Sequence, residues 1–129
     1  MRRNSADDEG SAVTGFALVA PLLVAVFICL TVVVSIVRHQ AVLGAAASTG
    51  ARVASAYDST DAQGRVAVTD LVQAHGYNAK RVNITISHPV VNGVRLVQVV
   101  VGDGVHVPWI NRDIGLSQSA RAVDEQSLQ

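Results

Sequence analysis

The hydrophobic and polar positions of the chain change their period twice, and each change marks a different kind of element. From Gly10 through Val37 no charged residue occurs. Phe16 to Val37 alone rises about 33 Å as a helix, enough to cross a hydrocarbon core of roughly 30 Å. Val, Ile, Leu, Phe and Ala dominate this run, and in lipid only a helix satisfies their backbone groups. The pattern predicts one membrane anchor near the N-terminus. Arg38 to Tyr57 then lacks proline and is rich in alanine, so the helix is expected to continue. In this part Val42, Leu43, Ala46, Ala47, Gly50, Val53, Ala54 and Tyr57 share one broad arc, opposite Ser48, Arg52 and Ser55. An uninterrupted helix from Phe16 to Ala56 is about 60 Å long. Small residues on its inner arc permit close approach of a sheet or of a partner helix, within the chain or between subunits.

Asp58-Ser59-Thr60-Asp61 brings turn formers and an N-cap. Ala62 to His75 reads as a second helix with Val68, Leu71, Val72 and His75 on one face, and Gly76 as its stop. The period then becomes two: Val82, Ile84 and Ile86 alternate with Asn83, Thr85 and Ser87. Asn92-Gly93 is a hairpin signal before the β-rich Val94 to Val101. Gly102-Asp103-Gly104 predicts another turn ahead of Val105-His106-Val107. Pro108 ends that segment, and Leu116 to Val123 is the last strand. The expected fold class is α+β. A long N-terminal transmembrane helix continues into a small head with one short helix and a three- or four-stranded antiparallel sheet.

Composition narrows the function. With 129 residues, 50% hydrophobic and 16% charged, the chain has room for one anchor and one small domain. Ten basic and ten acidic residues cancel, the basic ones are scattered, and aromatics are only 4% of the chain, so nucleic acid is not an expected partner. Cys29 lies alone in the span and reads as a small apolar packing residue. His39, His75, His88 and His106 are widely spaced, without neighbouring Cys or carboxylate ligands, so no metal site is expected. Asp103 between two glycines reads as a turn residue, and Ser117 and Ser119 lack a nucleophile elbow. Trp109 reads as a core residue, with an exposed loop anchor as the alternative. No enzyme activity and no cofactor are expected. Arg2 and Arg3 favour a cytoplasmic N-terminus. A secretory signal has an apolar region of about 7–15 residues, and this one is far longer.

The start of the chain resembles the TadE-like minor pilins (pseudopilins) of tight-adherence, Flp-type pilus systems. The residues that carry the likeness are Gly10 as the end of a short polar leader, Ser11-Ala12-Val13-Thr14 as the small stretch after it, and Phe16 as the aromatic opening the membrane helix. Ala17 to Leu23, with Pro21, is similar to the family's apolar opening. Ala45 to Arg52 is similar to the run that usually follows the anchor, and Leu116 to Glu125 to the closing strand. The resemblance implies cleavage between Gly10 and Ser11 by a prepilin peptidase. It also implies an organisation of leader (1–10), transmembrane helix (11–37), helix extension packing on the head (38–57) and extracytoplasmic head (58–129). Implied partners are other minor or major pilins, the pilus assembly platform and membrane lipid. One departure stands out: the acidic residue that the family places fifth after the cut is Gly15 here. The alternative is an uncleaved bitopic envelope protein whose head is a binding or scaffolding module.

Overall fold

The computed structural model describes residues 5–107 and 110–128, with side-chain surroundings from residue 13 onward and up to residue 126. The readings of Arg2, Arg3, Pro108 and Trp109 lie outside the described residues. The elements are α1 (Ser5–Ser55), α2 (Asp61–Ala74), β1 (Asn83–Ser87), β2 (Val90–Val91), β3 (Val94–Val107) and β4 (Arg112–Val123), with 3-10 turns at Ala79–Arg81 and Glu125–Leu128. The class is α+β, with one long apolar N-terminal helix, one further helix and a four-stranded antiparallel sheet. Two compact units divide the chain, Met1–Ile36 and Val37–Gln129.

In the first unit α1 shows its large apolar side chains to the outside: Phe16 is 72% exposed, Leu18 74% and Phe27 71%. The hydroxyls of Thr31 and Ser35 lie within the apolar surface, and both return to the helix's own backbone. Thr31 Oγ1 donates to the Phe27 carbonyl at 2.9 Å, and Ser35 Oγ to the Thr31 carbonyl at 2.8 Å. That i to i−4 bonding satisfies the hydroxyls without any outside partner.

The second unit is organised around the last turns of α1, α2 and one face of the sheet. Its core consists of Leu43, Ala46, Ala47, Ala51 and Ala54 from α1, Val68 and Val72 from α2, and Val97, Val99, Val101, Val107 and Leu116 from the sheet. The two helices come close because two glycines lack side chains. A Cβ on Gly50 would lie 2.4 Å from Val68 Cγ2, and one on Gly64 would lie 2.8 Å from Ala54 Cβ. α2 is held at both ends. Thr60 and Gln63 form a reciprocal capping box at its start. At its end Gly76, at φ +80°, closes a Schellman motif in which Tyr77 N–H donates to the Val72 carbonyl and Gly76 N–H to the Gln73 carbonyl.

β3 is the central strand. β1 pairs with it from Asn83↔Gly102 to Ser87↔Gln98, β2 joins through Val91↔Val94, and β4 pairs along its length from Leu96↔Val123 to Val107↔Arg112. Asn92 and Gly93, both at positive φ, make the two-residue hairpin turn that their sequence predicts.

Several expectations need correction. α1 begins at Ser5 rather than near Phe16 and ends at Ser55, where Asp58 at φ +60° turns the chain. Tyr57 therefore leaves the helix and is 66% exposed, while Ser55, expected on the outer arc, is buried and donates to the Arg52 carbonyl. His75 caps α2 and is exposed instead of sharing the buried face of Val68 and Val72. Gly102-Asp103-Gly104 is not a turn: β3 runs straight through it, since neither glycine takes a positive φ and each residue keeps its partner in β4. β4 accordingly starts at Arg112, four residues before Leu116.

Candidate functional site

The residues singled out in the sequence fall into two groups. Gly10, Ser11, Gly15 and Phe16 all lie in the first unit, within α1. The bond between Gly10 and Ser11 is thus helical, whereas a peptidase acting there requires an extended backbone. Gly15 has open space around it: a Cβ there would meet no heavy atom within 4 Å. Val42, Leu43, Ala46, Ala47, Gly50 and Ala54 are buried in the second unit, and Val53 is half-buried. The structure places these helix residues inside the chain's own core, against α2 and β3. Gly50, for example, meets Val68, the Gly64 carbonyl and Val99.

Three of the four histidines meet a carboxylate, which the linear spacing did not reveal. His88 Nε2 lies 3.3 Å from Asp61 Oδ1, and His106 Nδ1 lies 3.0 Å from Asp113 Oδ1. Both of these pairs are well exposed. The third is not. His39 Nε2 lies 3.1 Å from Asp103 Oδ2, and both side chains are 8% exposed. Nε2 nevertheless makes no hydrogen bond, and the contact is one of proximity alone. Asp103 Oδ1 is anchored separately by the Gly104 N–H at 2.7 Å. The Tyr77 ring stands edge-on to His39, with centroids 4.3 Å apart and planes at 90°. The Schellman turn after α2 delivers that ring, and the unbroken β3 delivers Asp103. His75, the remaining histidine, meets the Leu71 carbonyl through Nδ1 at 2.9 Å.

The cluster has the character of a latch between α1, β3 and the end of α2. No group of three or more His, Cys, Asp or Glu residues able to hold a metal occurs among the described residues. Asp103→Ala would strip the buried imidazole of its carboxylate and free the Gly104 N–H. A loss of about 1 kcal/mol is expected from the lost hydrogen bond to the Gly104 N–H, since His39 Nε2 has none to lose. Asp113→Ala, at a pair half-exposed on the surface, is expected to change stability by less than about 0.5 kcal/mol. Thermal melts of the two variants beside the parent chain check the contrast.

Among the described residues the fold therefore has one helix long and apolar enough to cross a membrane, followed in the chain by an α+β unit. Compared with protein-family models, with curated proteins and with solved structures, the chain matches none.

Proposed function

We propose that this chain is a membrane-anchored minor pilin or pseudopilin that takes part in assembling or initiating a tight-adherence-type pilus. The observation that carries the proposal is the form of α1. A charge-free segment with outward-facing Phe, Leu and Val side chains leads without interruption into a helix buried under a small sheet. Exposed apolar surface on that scale calls for lipid or for other helices. A subunit that is first held in a bilayer and then packs against its neighbours' helices uses the same surface twice. In this reading the N-terminus faces the cytoplasm and the unit beginning at Val37 faces outward. Gly15 leaves the chain without a carboxylate to offer a neighbour's amine, and an unpaired charge in lipid costs several kcal/mol. The new amine at Ser11 can still meet an acidic partner. That one-sided chemistry suits an end of the filament, most simply its tip.

A second reading is favoured by the helical state of Gly10 and Ser11. An uncleaved bitopic envelope protein, whose outer unit binds or scaffolds, needs no unwinding at that bond. Cleavage requires the helix to open there, and glycine lowers the cost of opening by about 1 kcal/mol relative to alanine. Intact-mass measurement on the protein purified from its own host separates the two. The pilin reading expects a mature chain beginning at Ser11, and a Gly10→Val chain that inserts in the membrane but keeps its first ten residues. Wild-type protein retaining residues 1–10 with an active peptidase present would leave the second reading standing.

A further inference from the structure

Gly102, Gly104 and Gly115 meet on one face of the sheet, inside paired strands, where nothing within the chain calls for glycine. None takes a positive φ, and the β3–β4 register is unbroken across them, so they mark neither a turn nor a bulge. A Cβ on Gly115 would meet no heavy atom within 4 Å. On Gly104 it would meet only Asp113 Cβ at 3.7 Å, and on Gly102 the Leu116 carbonyl at 3.5 Å and Ser117 Cβ at 3.8 Å. Those are ordinary contacts. Glycine inside a strand costs stability, and it is found where a ligand or another backbone comes close.

Alternation along β3 sends Val97, Val99 and Val101 into the core, and therefore Gly102 and Gly104 to the outer face. Asn83 and Ser117 flank Gly102 in the register, and Gly115 faces Gly104. The result is a hollow of about 460 Å³ with a floor of bare backbone, bordered by Arg81, Asn83 and Ser117. That volume falls in the range of small-molecule sites and exceeds what a simple ion fills. Asp103 and Leu116 also border it, with their side chains on the other face of the sheet, toward His39 and the core. β1 ends at Asn83, and guanidinium groups serve that edge. Arg65 Nη1 donates to the Ile84 carbonyl at 2.8 Å, and Arg81 Nη2 reaches the Gly104 carbonyl at 3.4 Å. One of Arg81's five N–H groups is used there, which holds the guanidinium beside the floor with donors to spare.

The rim decides what fits. It offers a guanidinium, a carboxamide and a hydroxyl, a mixture of donors and acceptors around a flat floor. A hydrocarbon or aromatic ring would take water from these groups and return no hydrogen bonds. A ring with hydroxyls at its edge satisfies them while its C–H face lies on the glycine backbone. Charge adds a second requirement. Among the described residues Arg81 is the one charged side chain facing the hollow, since Asp103 turns to His39 and Asp113, in the next row, is paired with His106. A carboxylate matches a guanidinium in bidentate fashion. We infer that this hollow is a binding site for an acidic sugar, a uronate-type pyranose whose carboxylate meets Arg81 and whose hydroxyls meet Asn83 and Ser117. The site lies wholly within the unit that begins at Val37, so it goes beyond the pilin reading and does not rest on it.

The open floor permits a test that separates binding from folding. The full chain, in micelles of an uncharged detergent without sugar groups, is titrated with sodium glucuronate at fixed ionic strength while its amide NMR spectrum is recorded. Shifts of the Gly102, Gly104 and Gly115 amides are expected to saturate at about millimolar concentration, as suits a shallow site and a ligand of this size. Glucose, which lacks the charge, and acetate, which lacks the ring, are each expected to bind about tenfold more weakly or worse. Arg81→Gln is expected to weaken glucuronate about tenfold and to leave glucose unchanged. Gly115→Val fills the floor without a clash and suits a strand better than glycine does. It is expected to melt no lower than the parent and to lose glucuronate binding. A parent spectrum unmoved by glucuronate, equal shifts from glucose or acetate, or a folded Gly115→Val chain that binds as the parent does overturns the assignment.

Discussion

A chain beginning at Val37 is expected to fold cooperatively, and a chain beginning at Asp58 is expected not to fold at all. The shorter chain keeps α2 and the whole sheet but loses Leu43, Ala46, Ala47, Ala51 and Ala54, each no more than 5% exposed. These residues form one wall of the apolar layer in this unit, and Val97, Val99 and Val101 would face water without them. What remains has about 70 residues and a core of a few valines, at or below the size where burial offsets chain entropy. It also loses the His39–Asp103 contact and the ring beneath Tyr77. The longer chain keeps all of these and discards the segment whose side chains are exposed. Circular dichroism melts decide the matter. A sigmoidal transition shared by both chains would show that the end of α1 is no part of the core.

What the sequence displayed, and what it hid, follows from the range of the interactions. The long apolar helix, the turn at Asn92-Gly93 and the capped second helix rest on neighbouring residues, and the chain displays them openly. Gly102-Asp103-Gly104 misled because its composition matches a turn, while the ladder to β4 and the burial of Asp103 override that local preference. Tyr57 falls on the inner arc only when the helical wheel is extended past the point where the helix stops. The pairing of histidines with carboxylates spans from seven residues, for His106 and Asp113, to sixty-four, for His39 and Asp103. Only the topology that sets β3 beneath α1 brings the distant pair together. Arg65 and Arg81 read as scattered surface charges until their carbonyl partners appear on the sheet edge.

The inner arc of small residues was legible as a place of close approach, but not which element approaches. The structure answers that with α2 and β3, which leaves the exposed apolar segment before Val37 outside that core. α1 thus keeps two kinds of surface apart along one helix. The buried part must be conserved in shape within the chain, and the outer part must match whatever surrounds it.

That separation yields opposite outcomes for the same substitution at two positions of α1. Gly→Ala gains about 1 kcal/mol in an open helical site through propensity. At Gly44 the nearest atom to a new Cβ is Gln118 Cγ at 4.0 Å, so the gain is expected in full and the melting temperature rises. At Gly50 the new methyl would lie 2.4 Å from Val68 Cγ2 and 3.3 Å from the Gly64 carbonyl. Val68 is fully buried, and its branched side chain has one strongly preferred rotamer in a helix, so it cannot swing aside. α2 must shift bodily, carrying Gly64 away from Ala54 and loosening Val99. Overpacking of this kind costs about 1–3 kcal/mol or somewhat more, which exceeds the propensity gain. A net loss of up to about 2 kcal/mol is expected, or as much as roughly 8–16 °C in melting temperature for a unit of this size. Val68→Ala combined with Gly50→Ala relieves the overlap and is expected to lose less than the sum of the separate changes. If Gly50→Ala melts as high as Gly44→Ala, the two helices do not cross at Gly50.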